Sequence, residues 1–366
     1  MSEEFLKGEV LGDEESKDEA PVEGARPSFV CELLMPVAVN EAPLLSVVVV
    51  TPDIVATVRK TLKFLRSQSV CERVEVLLVA PSREGLGLDE SELREFHSHK
   101  VVEVGHMRST ARARAAGVRA ASADVVAFAE DHAFPAQGWA EALLSRHAEG
   151  WAAVGPSMSN ANPRSATSWA NLLIEYAPWL EPCEAGEREH LPGHNGSYKR
   201  ALLLEYGERL EAMLDAESVL HWDLRSRGQR LYLEPRARVF HQNFSAPSAS
   251  LALRFNGGRL FASARAREWP AWRKLVYASA SPLIPLVRCA RIVGELLQPG
   301  RPRRLLPKVL PALFAGLVFD GAGECVGYAL GAGEAMRKLS DMEFHRERYM
   351  AARDRREKTT ELAEVS

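Results

Sequence analysis

The sequence predicts an α/β fold in which a mostly parallel sheet is flanked by helices. Three apolar runs rich in β-branched residues support this prediction, at residues 44–50, 74–79 and 125–128. Uninterrupted runs of this kind are typical of strands that are buried on both faces of a parallel sheet. The first and third runs are each next to a segment with helical character, at residues 54–69 and 109–121. This alternation of strand and helix favours a doubly wound sheet.

Further strands and helices are predicted along the rest of the chain. Residues 101–104 are predicted to form a short third strand, and residues 152–156 a strand that ends in a turn. Two further strands are predicted at the end of this region, at residues 231–235 and 237–241. Helical spacing of apolar residues predicts helices over residues 135–147 and 202–227.

Composition places the chain among ordinary globular proteins. Of its 366 residues, 46% are hydrophobic and 26% are charged, which leaves ample material for a buried core. The five cysteines are scattered and form no CxxC pair, which favours a reducing cytosol. The acidic N-terminus has no apolar stretch of the kind found in a secretory signal peptide, so we expect none.

Polar side chains follow three of the predicted strands. Asp53 and Ser82 come after the first two, and Glu130, Asp131 and His132 end the strand at residues 125–128. The carboxyl ends of parallel strands meet at one edge of a sheet, where ligands bind in open α/β folds. The triplet is therefore a candidate metal and phosphate site, although by itself it could equally be a polar turn.

Three later features are further candidates. The loop that contains Gly193, His194 and Asn195 suits a close approach of backbone to a ligand. Glu217 lies among apolar residues of a predicted helix, where desolvation is expected to raise its pKa and make it a base. His241 ends a predicted strand, as the triplet does. Each of these also has an ordinary structural explanation: a turn, a solvent-facing glutamate and a structural histidine.

The order of these pieces resembles the family 2 glycosyltransferases, which have the GT-A fold. Six motifs in the expected order carry the resemblance over residues 44–245: SVVVVTP at 46–52, ARAAG at 113–117, FAEDH at 128–132, GHNG at 193–196, AE at 216–217 and PRARVFH at 235–241. The resemblance implies an enzyme that moves a sugar from a nucleotide-diphospho-sugar to a polysaccharide, lipid-linked or glycolipid acceptor, with inversion at the anomeric carbon.

The resemblance also implies a role for each candidate residue. Glu217 would be the general base that deprotonates the acceptor hydroxyl, and Gly193, His194 and Asn195 would line the acceptor and donor-sugar pocket. The residues expected to bind the nucleotide-sugar are Pro52, Asp53, Arg114, Glu130 and Asp131. A divalent cation, Mg²⁺ or Mn²⁺, would be held by Asp131, His132 and His241, because oxygen ligands suit a hard cation that neutralises a diphosphate.

Three departures from the family pattern qualify this reading. The second strand ends in Ala80-Pro81-Ser82 instead of the usual acidic pair, so uridine is not implied. His132 replaces the usual third aspartate, which favours Mn²⁺ or a transition metal over Mg²⁺. The base is Glu217 instead of an aspartate. These departures keep open a second hypothesis, a catalytically inactive GT-A module that serves as a scaffold in polysaccharide assembly. A nucleotidyltransferase ranks last, because no glycine-rich loop with a basic residue follows the first strand.

The resemblance divides the chain into four segments. Residues 1–42 are expected to be a disordered acidic tail, 43–250 the GT-A domain, 251–340 a basic and apolar helical extension, and 341–366 a charged tail. The extension contains two apolar stretches whose uncharged runs are too short for a clean membrane span. Because basic and aromatic residues flank these stretches, we expect peripheral contact with the inner face of the cell membrane in the cytoplasm. No motif for binding nucleic acid accompanies the basic charge, so a nucleic-acid partner is not expected.

Overall fold

The computed structural model describes residues 42–51, 55–87, 89–107, 109–215 and 217–355. The predicted tail over residues 1–42 and the candidates Pro52 and Asp53 therefore lie outside the described residues, except for Ala42. From Ala42 onward the chain clusters as one compact unit. The domain boundaries at residues 250 and 340 stay predictions.

In the part of the chain that the structure describes, nine strands form a single sheet. They are β1 (Leu45–Val50), β2 (Val74–Ala80), β3 (Ser98–Glu103), β4 (Val125–Glu130), β5 (Ala133–Pro135), β6 (Ala153–Asn160), β7 (Gly186–Glu187), β8 (Ser197–Lys199) and β9 (Leu231–His241). Their order is β3-β2-β1-β4-β8-β6-β9-β5, and β7 pairs with β9. The predicted α/β fold class, a sheet with flanking helices and a helical C-terminal region, is confirmed.

The first half of the sheet is parallel, as the apolar runs indicate. Strand β1 pairs in parallel with β2 and with β4, and Val50 is in register with both Val79 and Glu130. The carboxyl ends of the three strands therefore meet at one edge. The side chains of β2 are fully buried along the whole strand, which is why its residues need no polar alternation.

The second half of the sheet is mixed, which the apolar runs did not predict. Strand β8 is antiparallel to both β4 and β6, whereas β9 is parallel to β6 and antiparallel to β5. The two strands predicted at residues 231–235 and 237–241 are one continuous strand, β9. An irregularity in the register between Pro156 and Ser157 of β6 lets this long strand continue past Pro235.

The helices are α1 (Val55–Arg66), α2 (Thr110–Ala120), α3 (Trp139–Ala148), α4 (Ala166–Tyr176), α5 (Arg200–Leu204), α6 (Leu210–Asp215), α7 (Glu217–Ser226), α8 (Pro247–Arg265), α9 (Ala271–Ala280), α10 (Ile284–Leu297), α11 (Leu306–Leu330) and α12 (Ala335–Phe344). The single helix predicted over residues 202–227 is divided into α5, α6 and α7. Gly207, in the left-handed region with φ +54°, lies in the first break. This division places Glu217 at the first residue of α7 instead of in the middle of a helix.

Helices α8 to α11 pack together and against α4. Among the described residues, two segments, Ala271–Leu297 and Arg303–Leu330, are long and apolar enough to cross a membrane. The uncharged runs inside them are short, as predicted, and some of the charges that interrupt the runs pair across the helices. Arg288 of α10 forms an ion pair with Asp320 of α11 and lies 4.0 Å from Glu324.

Glu324 is expected to make the stability of the protein depend on pH. Burial and the nearby Asp320 carboxylate raise the pKa of Glu324 to about 7. An acid whose pKa is raised by folding binds its proton more tightly in the native state, so its contribution falls as pH rises from about 4.5 to about 7. Glu324→Gln removes this loss. We expect its melting temperature to exceed that of the wild type by about 2 °C or more at pH 8 and to match it near pH 5.

Thermal unfolding at the two pH values measures this difference. Glu208→Gln, at an exposed position outside these helices, is the matched control and should show no change at either pH. A Glu324→Gln protein that is less stable than the wild type at pH 8 would contradict the prediction.

Candidate active site

Glu130 is the central residue of the site. It is the last residue of β4, and its carboxylate accepts a hydrogen bond from Asn195 Nδ2 at 2.8 Å. Three imidazoles surround it: His194 Nδ1 lies 3.2 Å from Oε1, and His241 Nε2 and His132 Nε2 lie 3.3 and 3.7 Å from Oε2. Burial alone would raise the pKa of Glu130, but these histidines outweigh burial and hold the pKa well below its usual range. Glu130 is therefore ionised.

Glu130, His132 and His241 form a candidate metal centre. Their potential ligand atoms all lie within 4.8 Å of one another. The Nδ1 atom of each imidazole faces a side-chain oxygen, Asp131 Oδ1 for His132 and Asn243 Oδ1 for His241, both at 2.8 Å. If each Nδ1 donates its proton to that oxygen, each Nε2 presents a lone pair toward Glu130. This arrangement of outer hydrogen-bond partners is typical of histidines that bind metals.

The composition of the centre differs from the predicted ligand set in one residue. Glu130 occupies the place expected for Asp131, which instead faces His132. The peptide geometry explains the difference, since Glu130 still belongs to the strand, in register with Val50, while Asp131 begins the following turn. Thr61 Oγ1 donates to the backbone oxygen of Asp131 at 3.0 Å and holds this turn.

The donor set fits a divalent cation of the manganese type. One carboxylate and two imidazoles suit Mn²⁺ and other transition metals better than they suit Mg²⁺, which prefers oxygen alone. A ligating imidazole must be neutral. Burial, with help from the Arg346 guanidinium, lowers the pKa of His132, which favours the neutral imidazole.

Glu217 lies on the side of His194 that is opposite Glu130. Arg114 Nη1 at 3.0 Å and His194 Nε2 at 2.8 Å both contact Oε1 of Glu217, so neither ion pair occupies Oε2. The expectation that its pKa would be raised is wrong. Burial favours such a rise, but His194 and Arg114 outweigh burial and lower the pKa of Glu217. The side chain is therefore a carboxylate at neutral pH, able to accept a proton.

His194 and Arg114 connect the two acids. His194 lies between Glu130 and Glu217, and Arg114 Nη2 lies 2.9 Å from its Nδ1 and 3.7 Å from Glu130 Oε1. Burial opposes the charged form of His194, but Glu217 and Glu130 raise its pKa to about 10. Two cations thus separate two carboxylates. Ion pairs with Arg114 and His194 stabilise the charged forms of both acids, so Glu130 and Glu217 stay ionised although they lie in the same site.

Gly193 is required by the packing of the site. It begins a 3₁₀ turn, Gly193–Asn195, that carries His194 and Asn195 toward Glu130. A Cβ atom at position 193 would lie 2.5 Å from both Cβ and Cγ of Glu217, which is closer than such atoms approach in proteins. Only glycine lets this turn and the start of α7 come together.

Gly193→Ala is therefore expected to displace Glu217 while the fold is kept. In an assay of sugar transfer we expect at least about a tenfold loss of kcat, because a displaced base lies outside hydrogen-bond reach of its proton. Gly228→Ala, on the surface, is a control for stability only. An alanine at this position would be strained by the φ of +76°, but it would not touch Glu217. Full activity of Gly193→Ala would contradict the prediction.

Two neighbouring cavities open onto this group. The larger has a volume of about 280 Å³ and the smaller of about 80 Å³, and Glu130, His132 and His194 line both. Glu217 and His241 line only the larger cavity, whereas Arg114 and Asp131 line only the smaller one. The structure thus brings together every predicted site residue that it describes. Their individual roles stay predictions.

Several residues of the larger cavity were not predicted. Glu175 and Tyr176 of α4, Arg254 of α8 and Arg346 line it. Arg346 comes from the 3₁₀ turn Arg346–Tyr349, in the segment that the sequence marks only as a charged tail. Its Nη2 donates to the backbone oxygen of Gln242 at 2.8 Å. Nothing in the sequence distinguishes Arg346 from the basic residues around it, because its position depends on packing against β9.

Comparisons with known proteins bear on this arrangement. No protein-family profile matches the chain. It is 29% identical over 157 residues to the pre-mycofactocin glycosyltransferase of two Mycobacterium tuberculosis strains, CDC 1551 / Oshkosh and ATCC 25618 / H37Rv. The match covers 39% of this chain and 32% of the relative, so the chain spans about a third of the length of the curated relatives it matches.

Solved structures of similar shape include two glycosyltransferases. A mannosyltransferase from Pyrobaculum calidifontis in complex with GDP-Man and Mn²⁺ is 17% identical, with a TM-score of 0.46 over 80% of this chain and 87% of that one. S. aureus TarS 1–349 in complex with UDP is 14% identical, with a TM-score of 0.45 over 77% of this chain and 90% of that one. At these TM-scores the superpositions carry no conclusion by themselves. The partial sequence match to a curated glycosyltransferase agrees with the glycosyltransferase resemblance that the motif order implies.

Proposed function

We propose that this protein is an inverting glycosyltransferase that uses a nucleotide-diphospho-sugar. The observation that carries the proposal is the placement of an ionised carboxylate, Glu217, in the same 280 Å³ cavity as the centre formed by Glu130, His132 and His241. One base and one centre for a diphosphate are what a single displacement needs. The partial match to curated glycosyltransferases supports the same chemistry.

Glu217 is proposed to act on the acceptor. Its Oε2 accepts the proton of an acceptor hydroxyl as the hydroxyl oxygen forms a bond to the anomeric carbon. The bond between that carbon and the diphosphate oxygen breaks, and the electron pair leaves with the nucleotide diphosphate. Because the hydroxyl that Glu217 deprotonates attacks the face opposite the leaving diphosphate, the proposed displacement occurs once and inverts the anomeric centre.

The leaving diphosphate is proposed to lie near the imidazole centre. Glu130, His132 and His241 would hold a divalent cation, Mn²⁺ by the donor set, which supplies positive charge against the phosphate oxygens. Asp131 and Asn243 orient the two imidazoles through their Nδ1 atoms. The acceptor is proposed to be a glycan or lipid-linked molecule, in keeping with the aromatic side chains of Tyr176 and Trp179 that line the cavity.

A screen of nucleotide-sugars tests the proposal. The full chain is mixed with UDP-, GDP- and dTDP-linked sugars, with Mn²⁺, with Mg²⁺ or with a chelator, and the release of free nucleotide and the binding of each donor are measured. We expect one donor class to bind and to be turned over with Mn²⁺. Binding of no donor under any of these conditions would overturn the proposal and favour the inactive scaffold.

Arg346 is expected to contribute to donor binding. Its side chain is one-tenth exposed and faces the cavity near His132, where it can meet a phosphate. Arg346→Ala should raise KM for the donor by about 10- to 100-fold, since a hydrogen bond to a charged group contributes about 1.5–3 kcal/mol, and should leave kcat nearly unchanged.

Steady-state kinetics of Arg346→Ala, Arg346→Lys and Arg348→Ala check this expectation. The exposed Arg348 is the matched control, and lysine should recover part of the affinity because it keeps the charge. Equal effects of Arg346→Ala and Arg346→Lys on melting temperature and on kcat would instead indicate a purely structural role.

A further inference from the structure

We infer that the outer face of α9, α10 and α11 is a docking surface for an anionic lipid bilayer. This inference does not depend on the proposed function, because it rests on a different part of the molecule. Its elements are an exposed apolar surface, the pairing of the charges beneath it, and a rim of basic side chains.

Exposed apolar side chains are concentrated on these three helices. Of the fifteen large exposed hydrophobic residues in the described part of the chain, eleven lie there and a twelfth, Leu283, lies in the 3₁₀ turn between α9 and α10. They are Trp272, Leu275, Val276, Leu283, Leu286, Val287, Leu297, Leu310, Phe314, Val318, Phe319 and Leu330. Trp272 and Leu275 are each 68% exposed. A concentration of exposed apolar side chains of this kind marks an interaction site in a folded protein.

Helical spacing aligns these residues in stripes. Leu310, Phe314 and Val318 repeat every four residues of α11, so they share one face of the helix. Leu275 and Val276 are exposed next to each other in α9, as are Leu286 and Val287 in α10. Every exposed residue between 275 and 290, and between 309 and 330, is uncharged. The surface therefore has no exposed charge that burial in an apolar phase would leave unpaired.

The charges within the apolar stretches are paired or buried. Arg288, which is about one-third exposed, forms an ion pair with Asp320 and lies 4.0 Å from Glu324, and both acids are buried. The inner side of α11 packs on α4 and α8. Lipid can therefore reach α11 only from its outer face, which fits helices that lie on the bilayer surface.

Basic side chains border one end of the apolar surface. Arg291 follows the apolar part of α10, and Arg303, Arg304 and Lys308 lie at the start of α11, all of them exposed. Each basic residue near a membrane contributes attraction to anionic lipids. If a second copy of the chain docked on this face, the positive rims of the two copies would repel each other, so a second copy is disfavoured as the occupant. The charge of the rim therefore points to anionic lipid.

Co-sedimentation of the full chain with sucrose-loaded vesicles tests the inference. Phosphatidylcholine vesicles are compared with vesicles that contain about 30% phosphatidylglycerol, an anionic fraction that gives a strong negative surface potential. We expect binding to the anionic vesicles, weakened by at least about tenfold in 0.5 M NaCl because the attraction is screened. If the protein binds neither kind of vesicle at either salt concentration, the inference is overturned.

Two variants connect binding to this face. Leu286→Glu places a charge in the apolar surface, and Arg303→Glu with Arg304→Glu reverses the rim. Each should weaken vesicle binding by at least about tenfold, while Leu44→Glu, at an exposed position before β1, should not. Sedimentation without lipid tests whether a second copy of the chain binds to this face instead. A soluble dimer that Leu286→Glu dissociates would assign the face to a second copy and overturn the lipid inference.

Discussion

Glu217→Gln is expected to lower kcat by about 10²- to 10⁴-fold, the range that a general base contributes, with little change in donor affinity. Glutamine keeps an oxygen that can accept from Arg114 and His194, which contact Oε1 at 3.0 and 2.8 Å. It cannot take the proton of an acceptor hydroxyl. The loss should therefore appear in the chemical step and not in the binding of the nucleotide-sugar.

Kinetics and donor binding, measured on the same preparation, separate the two effects. Glu208→Gln, at an exposed position outside the cavity, is the matched control. The substitution also tests the ionisation of Glu217. Because folding lowers the pKa of this carboxyl, its contribution to stability is present above the unfolded value and is lost as pH falls. The melting temperatures of wild type and Glu217→Gln should therefore approach each other in acid. Unchanged kcat would show that another group accepts the proton.

Loss of the imidazole centre has the second largest expected effect. His241→Ala removes one of three potential ligands, and we expect Mn²⁺ affinity to fall by at least about 100-fold. Asn243→Ala leaves the ligand but frees its Nδ1, and should lower the affinity by about 10- to 100-fold, as is usual for an outer hydrogen-bond partner. Titration of Mn²⁺, followed by electron paramagnetic resonance, measures both. His99→Ala on β3, outside the site, is the control.

The same titration decides between two ligand sets. If Glu130 is the carboxylate ligand, Glu130→Gln should abolish Mn²⁺ binding, and Asp131→Asn should act only through His132 and weaken binding about as much as Asn243→Ala does. If Asp131 is the ligand, as the motif order implies, Asp131→Asn is the more damaging change. Equal tight binding by the wild type and all of these variants would show that the centre holds no metal.

Much of the N-terminal half of the fold is predictable from local sequence. Strands β1, β2 and β4 coincide with apolar runs whose β-branched residues favour a buried strand whatever their neighbours. Because the crossover connections make these strands parallel, the acids that follow them must meet at one edge. The mixed half is different. Strand β8 has only three residues, and its antiparallel pairing with β4 and β6 depends on contacts between distant parts of the chain.

The sequence by itself determined the α/β class, the order of the motifs, and the set of residues near the site. Only the tertiary structure decided their charge and their partners. Glu217 looked like a desolvated acid with a raised pKa, but residues 103 and 23 positions away, Arg114 and His194, lower that pKa. Arg346 enters the cavity from the far end of the chain, and Arg288 neutralises Asp320 across two helices. Local sequence sets backbone preferences, whereas electrostatics depends on distances in space, and those distances exist only once the chain is folded.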